Sequence, residues 1–377
     1  MTTAVIVDVV RTRSGRGKPG GALADEHPVD LFASVLAALV ERNELDPALV
    51  DDVIGGCVSQ AGTQAVNVTR SAVLAAGFPH TVPAVTIDRQ CGSSQQAVTF
   101  AAQGIVAGAY DVVIAGGVEM MSRNPINFAT MRLDPWGSAG ERYDFVGQGV
   151  SAELVAARWG LTREELDVFA ARSHELAAST DFSTEILGGT DETIRPGTSA
   201  ESLAALSPAF YSPELAARFP EIGWNITAGN SSPLTDGASA ALIMSEQRAH
   251  ELGLTPRARF HAFAVAGSDP IEMLTGIMPA TRRILDRSKV PLDEIDQYEI
   301  NEAFASVPLA WLREFDADPG RLNPRGGAIA LGHALGSSGT RLLATLLTGL
   351  EASGGRYGLQ VMCEGAGMAN ATIIERL

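Results

Sequence analysis

One pattern occurs twice in this chain and limits its architecture more than any other feature. An apolar, β-branched run leads into a glycine-containing acidic stretch at DVVIAGGVEM, residues 111–120. The same character returns at GLQVMCEGAGM, residues 358–368. Around each copy, short strand-like runs alternate with helix-like spacing, which points to a largely parallel sheet covered by helices. In the first 118 residues the strands are expected at Ala4–Val10, Val53–Val58, Ala84–Ile87 and Val112–Ala115. Helices are expected at Val29–Val40, with Pro28 in the first turn, and at Ser93–Ala107. Near the end, strands are expected at Ala258–Ala266, Tyr298–Ile300, Gly358–Met362 and Ala371–Glu375. Helices are expected at Ala280–Leu285, Ala303–Phe315 and Thr340–Leu350, with Pro308 kinking the second or sitting where the chain is already irregular. The chain therefore reads as α/β, in two similar halves.

Between the halves lies a different segment, rich at first in Pro, Gly and Asn. Thr162 with Glu165 forms a capping box ahead of LDVFAARSHELAA. Its end, ITAGNSSPLTDGASAALIMS, is expected to return to strand, turn and helix. This organisation gives a first half over residues 1–118, completed by 232–255, an inserted loop or lid over 119–231, and a second half over 256–377. A lid of this kind commonly binds ligand.

Charge and cysteine usage narrow the function. With 28 basic and 44 acidic residues the net charge is −16, which opposes binding to nucleic acid through a general basic surface. No apolar run is long enough to span a membrane, and the first residues enter a strand-like run without a signal-peptide pattern. The last residues are not a peroxisomal signal. Three scattered cysteines fit a reducing compartment, so a cytoplasmic location is expected. No Cys/His pair has the spacing of a zinc site. The stretch RSGRGKPGG lacks the spacing and hydroxyl residue of a phosphate loop.

Two of the cysteines sit where thiol chemistry is plausible. Cys91, in VTIDRQCGSSQQAV, falls at the N-terminus of the expected helix from Ser93, where the dipole and free N–H groups favour a thiolate. Cys363, in LQVMCEGAGMA, precedes a glycine turn that includes Gly365. A thiol there has an ordinary pKa close enough to neutral to shuttle a proton. Cys57 is expected to be core. His333 lies in the uncharged, glycine-rich GGAIALGHALGSSG. His174 sits among charged residues on a helix and is expected to be solvated. Asn301 and Glu302 follow a short buried strand, where α/β proteins face ligands, although a helix cap explains Asn301 nearly as well.

Taken together, CGSSQQA at 91–97, GNSSPLTDGASA at 229–240, NEAFA at 301–305, the His333 motif at 326–339 and CEGAG at 363–367 resemble the thiolase superfamily, in its order. The resemblance covers essentially the whole chain. It implies two βαβαβαββ halves in a five-layered αβαβα core with an inserted loop domain. It implies acyl transfer on coenzyme A thioesters, coenzyme A being a substrate and no cofactor being needed. Cys91 then resembles the acylated nucleophile, His333 its base, and Cys363 the acid/base for the acetyl-CoA carbanion and the incoming thiol. Asn301 would hold a water beside His333, and the N–H groups of Cys91 and Gly365 would face the tetrahedral oxyanion. By the same resemblance Arg195 lies near the nucleotide of coenzyme A, and Phe210, Ala228 and Ser232 lie along its pantetheine. Met273 and Phe304 form apolar walls. A homodimer or homotetramer is implied.

Ala334 stands where the family usually has proline, which predicts a less rigid histidine loop. Glu364 and Ala366 also depart from the small, glycine-rich pattern. The residues around Cys91 resemble degradative bacterial thiolases, including some acting on bulky acyl chains. The competing expectations are a biosynthetic acetoacetyl-CoA thiolase, a decarboxylating ketoacyl-synthase-like enzyme, which Cys363 argues against, and a non-catalytic acyl-CoA-binding relative.

Overall fold

The computed structural model describes residues 2–377. Its first half contains β1 (Ala4–Arg11), the short β2 (Gly15–Arg16), β3 (Asp52–Gly56), β4 (Ala84–Ile87) and β5 (Val112–Met120). Its helices are α1 (Pro28–Arg42), α2 (Val68–Ala75) and α3 (Ser93–Val106). Five helices follow in the inserted stretch: α4 (Ser138–Arg142), α5 (Gln148–Arg158), α6 (Arg163–Ser179), α7 (Ala200–Ala204) and α8 (Pro213–Arg218). The chain then returns to the sheet through β6 (Thr235–Ser245) and α9 (Glu246–Glu251). The second half comprises β7 (Ala258–Gly267), α10 (Ile277–Ser288), β8 (Gln297–Ile300), α11 (Ser306–Phe315) and α12 (Ala328–Leu331). It ends with α13 (Ser338–Ser353), β9 (Tyr357–Glu364) and β10 (Met368–Arg376).

The strands follow the order β4-β3-β5-β6-β1-β7-β10-β9-β8, with β2 against β6. The repeated sequence pattern is β5 and β9. β5 runs parallel to β3 and antiparallel to β6, while β9 runs parallel to β8 and antiparallel to β10. The two halves meet where β1 pairs with β7 at Val5–Arg259 and Ile6–Ala258.

Side-chain alternation explains the layers. In β1, Val5, Val7 and Val10 face the cluster containing Phe32 and Leu36 of α1. Ala4, Ile6 and Val9 face the opposite cluster, with Val98 and Ile105 of α3 and Leu343 and Leu347 of α13. A strand buried on both faces needs a nearly unbroken apolar run, which AVIVDVV supplies. In the second half, Ile300, Val361 and Ile373 face Ile284 of α10 and Trp311 of α11, while Met362 and Ile374 turn inward. Helices α3 and α13 are therefore the central layer between two half-sheets, with helices outside each. Every fully buried Leu or Phe in these layers contributes about 2 kcal/mol of hydrophobic stabilisation. The two central helices touch at Gly339, where a β-carbon would come 2.1 Å from the Gln95 nitrogen, so any side chain there would force them apart.

Three expectations about elements need correction. The end of the inserted stretch forms one long strand, β6, before any helix, because it must span both β1 and β5. Helix α11 begins at Ser306 instead of Ala303, since residues 301–305 form a loop. Pro308 is the third residue of α11, in the first turn, where its missing N–H breaks no bond of the helix. It does not kink the helix interior. The Thr162–Glu165 capping box of α6 is present. No helix among the described residues is long and apolar enough to cross a membrane.

Candidate active site

Cys91 and Asn301 lie beyond carboxyl ends of parallel strands, where an α/β sheet opens its crevices. Cys91 follows β4, Asn301 follows β8, and Cys363 lies near the end of β9. His333 is carried on the loop between α12 and α13. All four are nearly inaccessible: Cys91 is 3% exposed, His333 5%, Cys363 1% and Asn301 1%. A cleft of about 530 Å³ lies at the opposite ends of β3 and β5 among Ala48, Asp51, Asp111, Ser245, Arg248 and Glu251. It contains none of these residues.

His333 is held as a neutral base. Its backbone N–H donates to Thr235 Oγ1 at 2.9 Å. The Ser338 hydroxyl donates to the Ala334 carbonyl at 2.8 Å. With its one proton so used, Ser338 Oγ accepts from His333 Nδ1–H at 2.7 Å. That assignment leaves the lone pair on Nε2, which meets Asn301 Nδ2 across a long 3.5 Å contact. Burial, helped by the Arg341 guanidinium, pushes the His333 pKa down to about 3. The loop does not rely on proline at position 334. Besides the bonds above, its Gly336 N–H donates to Glu119 Oε2 at 3.0 Å. Glu119 also accepts from Val58 N, Ser59 N and Gln64 Nε2, so one buried carboxylate ties the β3 exit to the histidine loop.

The environment of Cys91 contradicts the expected thiolate. Cys91 does precede the N-cap Gly92 of α3. Nevertheless burial, and after it the charge of Glu364, pushes its pKa up to about 12. Desolvation of a sulfur anion outweighs the favourable end of the helix dipole here. A side-chain hydrogen bond from Gln148 acts in the opposite direction. Cys91 and His333 therefore rest as a neutral thiol and a neutral imidazole. Cys363 is likewise pushed well up, first by burial and then by Cys91 and Glu364, while a hydrogen bond from Asn301 opposes this. Asn301 thus lies beside both His333 and Cys363, and its Oδ1 has no partner among the described residues.

Glu364 adjoins this cluster. Its carboxylate is so close to Gly92 that a β-carbon there would lie 1.9 Å from Oε1. Neither oxygen has a hydrogen-bond partner among the described residues, and burial pushes its pKa up to about 9. It is neutral near pH 7. Ala366, in the same turn, adopts φ 61°, a left-handed conformation that disfavours alanine.

Of the residues expected to contact coenzyme A, Phe210, Met273, Phe304 and the turn of Ala228 and Ser232 pack beside this cluster, while Arg195 lies apart on an exposed loop. Ser232 donates from both N–H and hydroxyl to the Ala303 carbonyl at 3.0 Å, and Ala305 N–H donates to Asn230 O at 2.9 Å. The turn bearing exposed Ala228 is thereby fastened to the Phe304 loop. Phe210 and Phe304 meet edge to face, with centroids 6.0 Å apart. Met273 and Phe304 share the apolar cluster of Cys363, together with Ile277 and Met278. Arg195 is exposed, and its N–H donates to His174 Nδ1 at 3.2 Å. His174 is therefore not solvated: it is 1% exposed, and burial beside Arg195 pushes its pKa down to about 4. It anchors the Arg195 loop to α6.

Sequence reasoning missed Gln148, Ser338 and Glu119. Ser338 could have been found as the hydroxyl five residues beyond the histidine. Gln148, in GQG immediately before a helix, gave only a weak signal.

Comparison with known proteins bears on this arrangement. A family model described as "Thiolase, N-terminal domain" matches residues 4–247, and one described as "Thiolase, C-terminal domain" matches residues 254–376. The chain is 47% identical over 399 residues to the steroid 3-ketoacyl-CoA thiolase FadA6 of Mycobacterium tuberculosis, covering 100% of this chain and 95% of that protein. It is 42% identical over 396 residues to a 3-ketoacyl-CoA thiolase of Saccharophagus degradans, covering 99% and 98%. Among solved structures, the Bacillus anthracis acetyl-CoA acetyltransferase superposes with a TM-score of 0.88 at 36% identity, covering 100% of this chain and 99% of that one.

Proposed function

The chain belongs to the thiolase family, and from that premise we propose that it cleaves 3-ketoacyl-CoA with coenzyme A in the degradative direction, through an acyl group on Cys91. The observation carrying this reading is the convergence of Cys91, Asn301, His333 and Cys363 in one buried cluster, with His333 neutral.

As Cys91 sulfur attacks the keto carbon, its proton passes to His333 Nε2. The tetrahedral oxyanion is stabilised by the N–H groups of Cys91 and Gly365. When the bond between C2 and C3 breaks, its electron pair goes to the acetyl-CoA enolate, whose oxygen faces His333 and a water on Asn301. Cys363 protonates that carbanion and becomes a thiolate. Coenzyme A then gives its thiol proton to Cys363 and attacks the acyl carbonyl. Cys91 leaves and recovers its proton from His333. Dividing the reaction at an acyl-cysteine replaces one difficult step with two easier ones.

Arg195, on the exposed loop held by His174, holds the nucleotide end of coenzyme A. Arg195→Ala is expected to raise the KM for coenzyme A esters several-fold while kcat changes little, because that contact is equally present in ground and transition states. Steady-state kinetics with coenzyme A varied check this.

The inserted stretch over residues 119–231 serves as the lid. The protein works in the cytoplasm as a homodimer or homotetramer, and the open sheet edge at β4, with Val85 41% exposed, supports association. Ile277 and Met278, in the apolar cluster of Cys363, suit medium or bulky acyl chains, including ring-bearing ones. The curated relative named as a steroid 3-ketoacyl-CoA thiolase supports the same preference. Each additional buried methylene contributes about 0.8 kcal/mol. Thiolysis measured across C4, C8, C12 and a ring-bearing 3-ketoacyl-CoA is expected to give kcat/KM rising beyond C4. A maximum at C4 would favour the biosynthetic acetoacetyl-CoA alternative, condensation of two acetyl-CoA.

A further inference from the structure

The Cys91 sulfur must accept negative charge twice per turnover, yet it has acidic neighbours. Glu364 lies on the β9 side and Glu119 beyond the histidine loop, and each, when ionised, opposes an anionic sulfur. His333 is neutral. Arg89, two residues before Cys91, points its Nη1 toward Met368 sulfur at 3.9 Å and acts electrostatically on Glu364. What faces the sulfur from the inserted stretch is uncharged. Gln148 is the first residue of α5, half-buried, with its side chain extended toward the catalytic turns. Its Nε2 lies 3.4 Å from where a β-carbon on Gly365 would stand, and Gln90 Oε1 lies 3.1 Å from the same point. Its amide thus stands between the Gly365 turn and Gln90, the residue before Cys91, and it acts on the Cys91 sulfur in the direction that favours the anion.

Helix α5 is fixed well enough to aim this group. Its Glu153 accepts from the N–H groups of Asn225 and Ile226, both at 2.8 Å. Phe210 packs on Gly149, next to Gln148, so the proposed pantetheine wall and the amide are braced together.

We propose that Gln148 is a further catalytic residue, a hydrogen-bond donor supplied by the inserted stretch to the Cys91 sulfur. It donates an Nε2–H as the thiol loses its proton to His333, and again as the thiolate departs from the acyl group. No bond to carbon forms or breaks at Gln148, and it remains neutral throughout. Glutamine suits the place because its donor is compatible with the neutral resting thiol and with the anion. A cation there would form a permanent pair with Glu364, and a carboxylate would repel the sulfur. This inference rests on Cys91 being the nucleophile of the thiolase reaction.

The test reads the sulfur directly. Iodoacetamide is applied without substrate between pH 7 and 10, and alkylation of the Cys91 peptide is followed by mass in the parent, Gln148→Leu and Gln148→Met. Loss of one hydrogen bond to a charged group is expected to slow Cys91 alkylation about ten-fold at pH 8. The thiolysis kcat should fall by a similar factor, with the KM for coenzyme A within about two-fold, as expected for a contact made mainly in the transition state. Glu364→Gln should instead speed Cys91 alkylation above pH 9. Methionine keeps the length and bulk of glutamine without its donor, so a packing role would leave that variant near parental. Cys91 alkylation within two-fold of the parent in either folded Gln148 variant overturns the proposal. A parent without thiolysis, in which Gln148 still governs Cys91 alkylation, would overturn the functional reading and leave the contact standing.

Discussion

Cys363→Ala is expected to lose about 10²–10⁴-fold in turnover while keeping Cys91 able to accept an acyl group from an activated thioester. In the proposed mechanism proton transfer and bond formation are carried by different sulfurs, so removing one should separate them. Cys363 is buried and its thiol is held protonated by burial and by the neighbouring Cys91 and Glu364. That is the state required to protonate a departing carbanion. Alanine removes the proton but leaves Cys91, His333 and Ser338 in place. Mass analysis after incubation with an activated acyl thioester should show the acyl enzyme, while coupled assays of 3-ketoacyl-CoA thiolysis show almost no product. Near-parental turnover would make Cys363 a packing residue.

His333→Ala should lower kcat/KM by a comparable factor, because it removes the neutral base proposed to take the Cys91 proton. The structure adds a pH dependence. His333 remains neutral in the folded protein down to about pH 3. Parental kcat/KM should therefore show no loss near pH 6.5 from this group. Stability has the opposite sensitivity. Between pH 6.5 and 3 the unfolded chain binds a proton at this position that the folded protein excludes, so the folded state loses stability as pH falls. Glu364, with its raised pKa, acts in the other direction: the folded protein binds its proton up to about pH 9, so stability falls as pH rises from 4.5. The variant-minus-parent difference isolates His333. Urea unfolding should show that His333→Ala escapes a penalty of about 2 kcal/mol on passing from pH 6.5 to 5. An equal pH response in both proteins would mean that His333 titrates normally.

The alternation of strands and helices in two similar halves was legible because it follows from local patterns, whereas the five-layered core was only implied by the family resemblance. β4 matches its apolar run residue for residue, and α3 starts where CGSSQQA suggested. The repeat identified β5 and β9 as corresponding strands, and their pairing bears this out. Cys91, His333, Cys363 and Asn301 stood out by their local positions, but the roles proposed for them came from the family resemblance, not from spacing alone. What remained hidden depends on partners distant in sequence. Nothing near Glu364 shows that its carboxylate will press on Gly92. Nothing near His174 shows that the Arg195 loop will bury it. The thiolate expectation at Cys91 failed for the same reason: a helix N-terminus is a local feature, whereas the burial and the acidic neighbour that overcome it are tertiary.

The account stands on Cys91 as the atom that carries the acyl group. The direct measurement is to incubate the protein with a 3-ketoacyl-CoA, without free coenzyme A, digest it and weigh the cysteine peptides. The acyl mass is expected on the Cys91 peptide, disappearing when coenzyme A is added. An acyl group found instead on the peptide of Cys363 or Cys57 would contradict it.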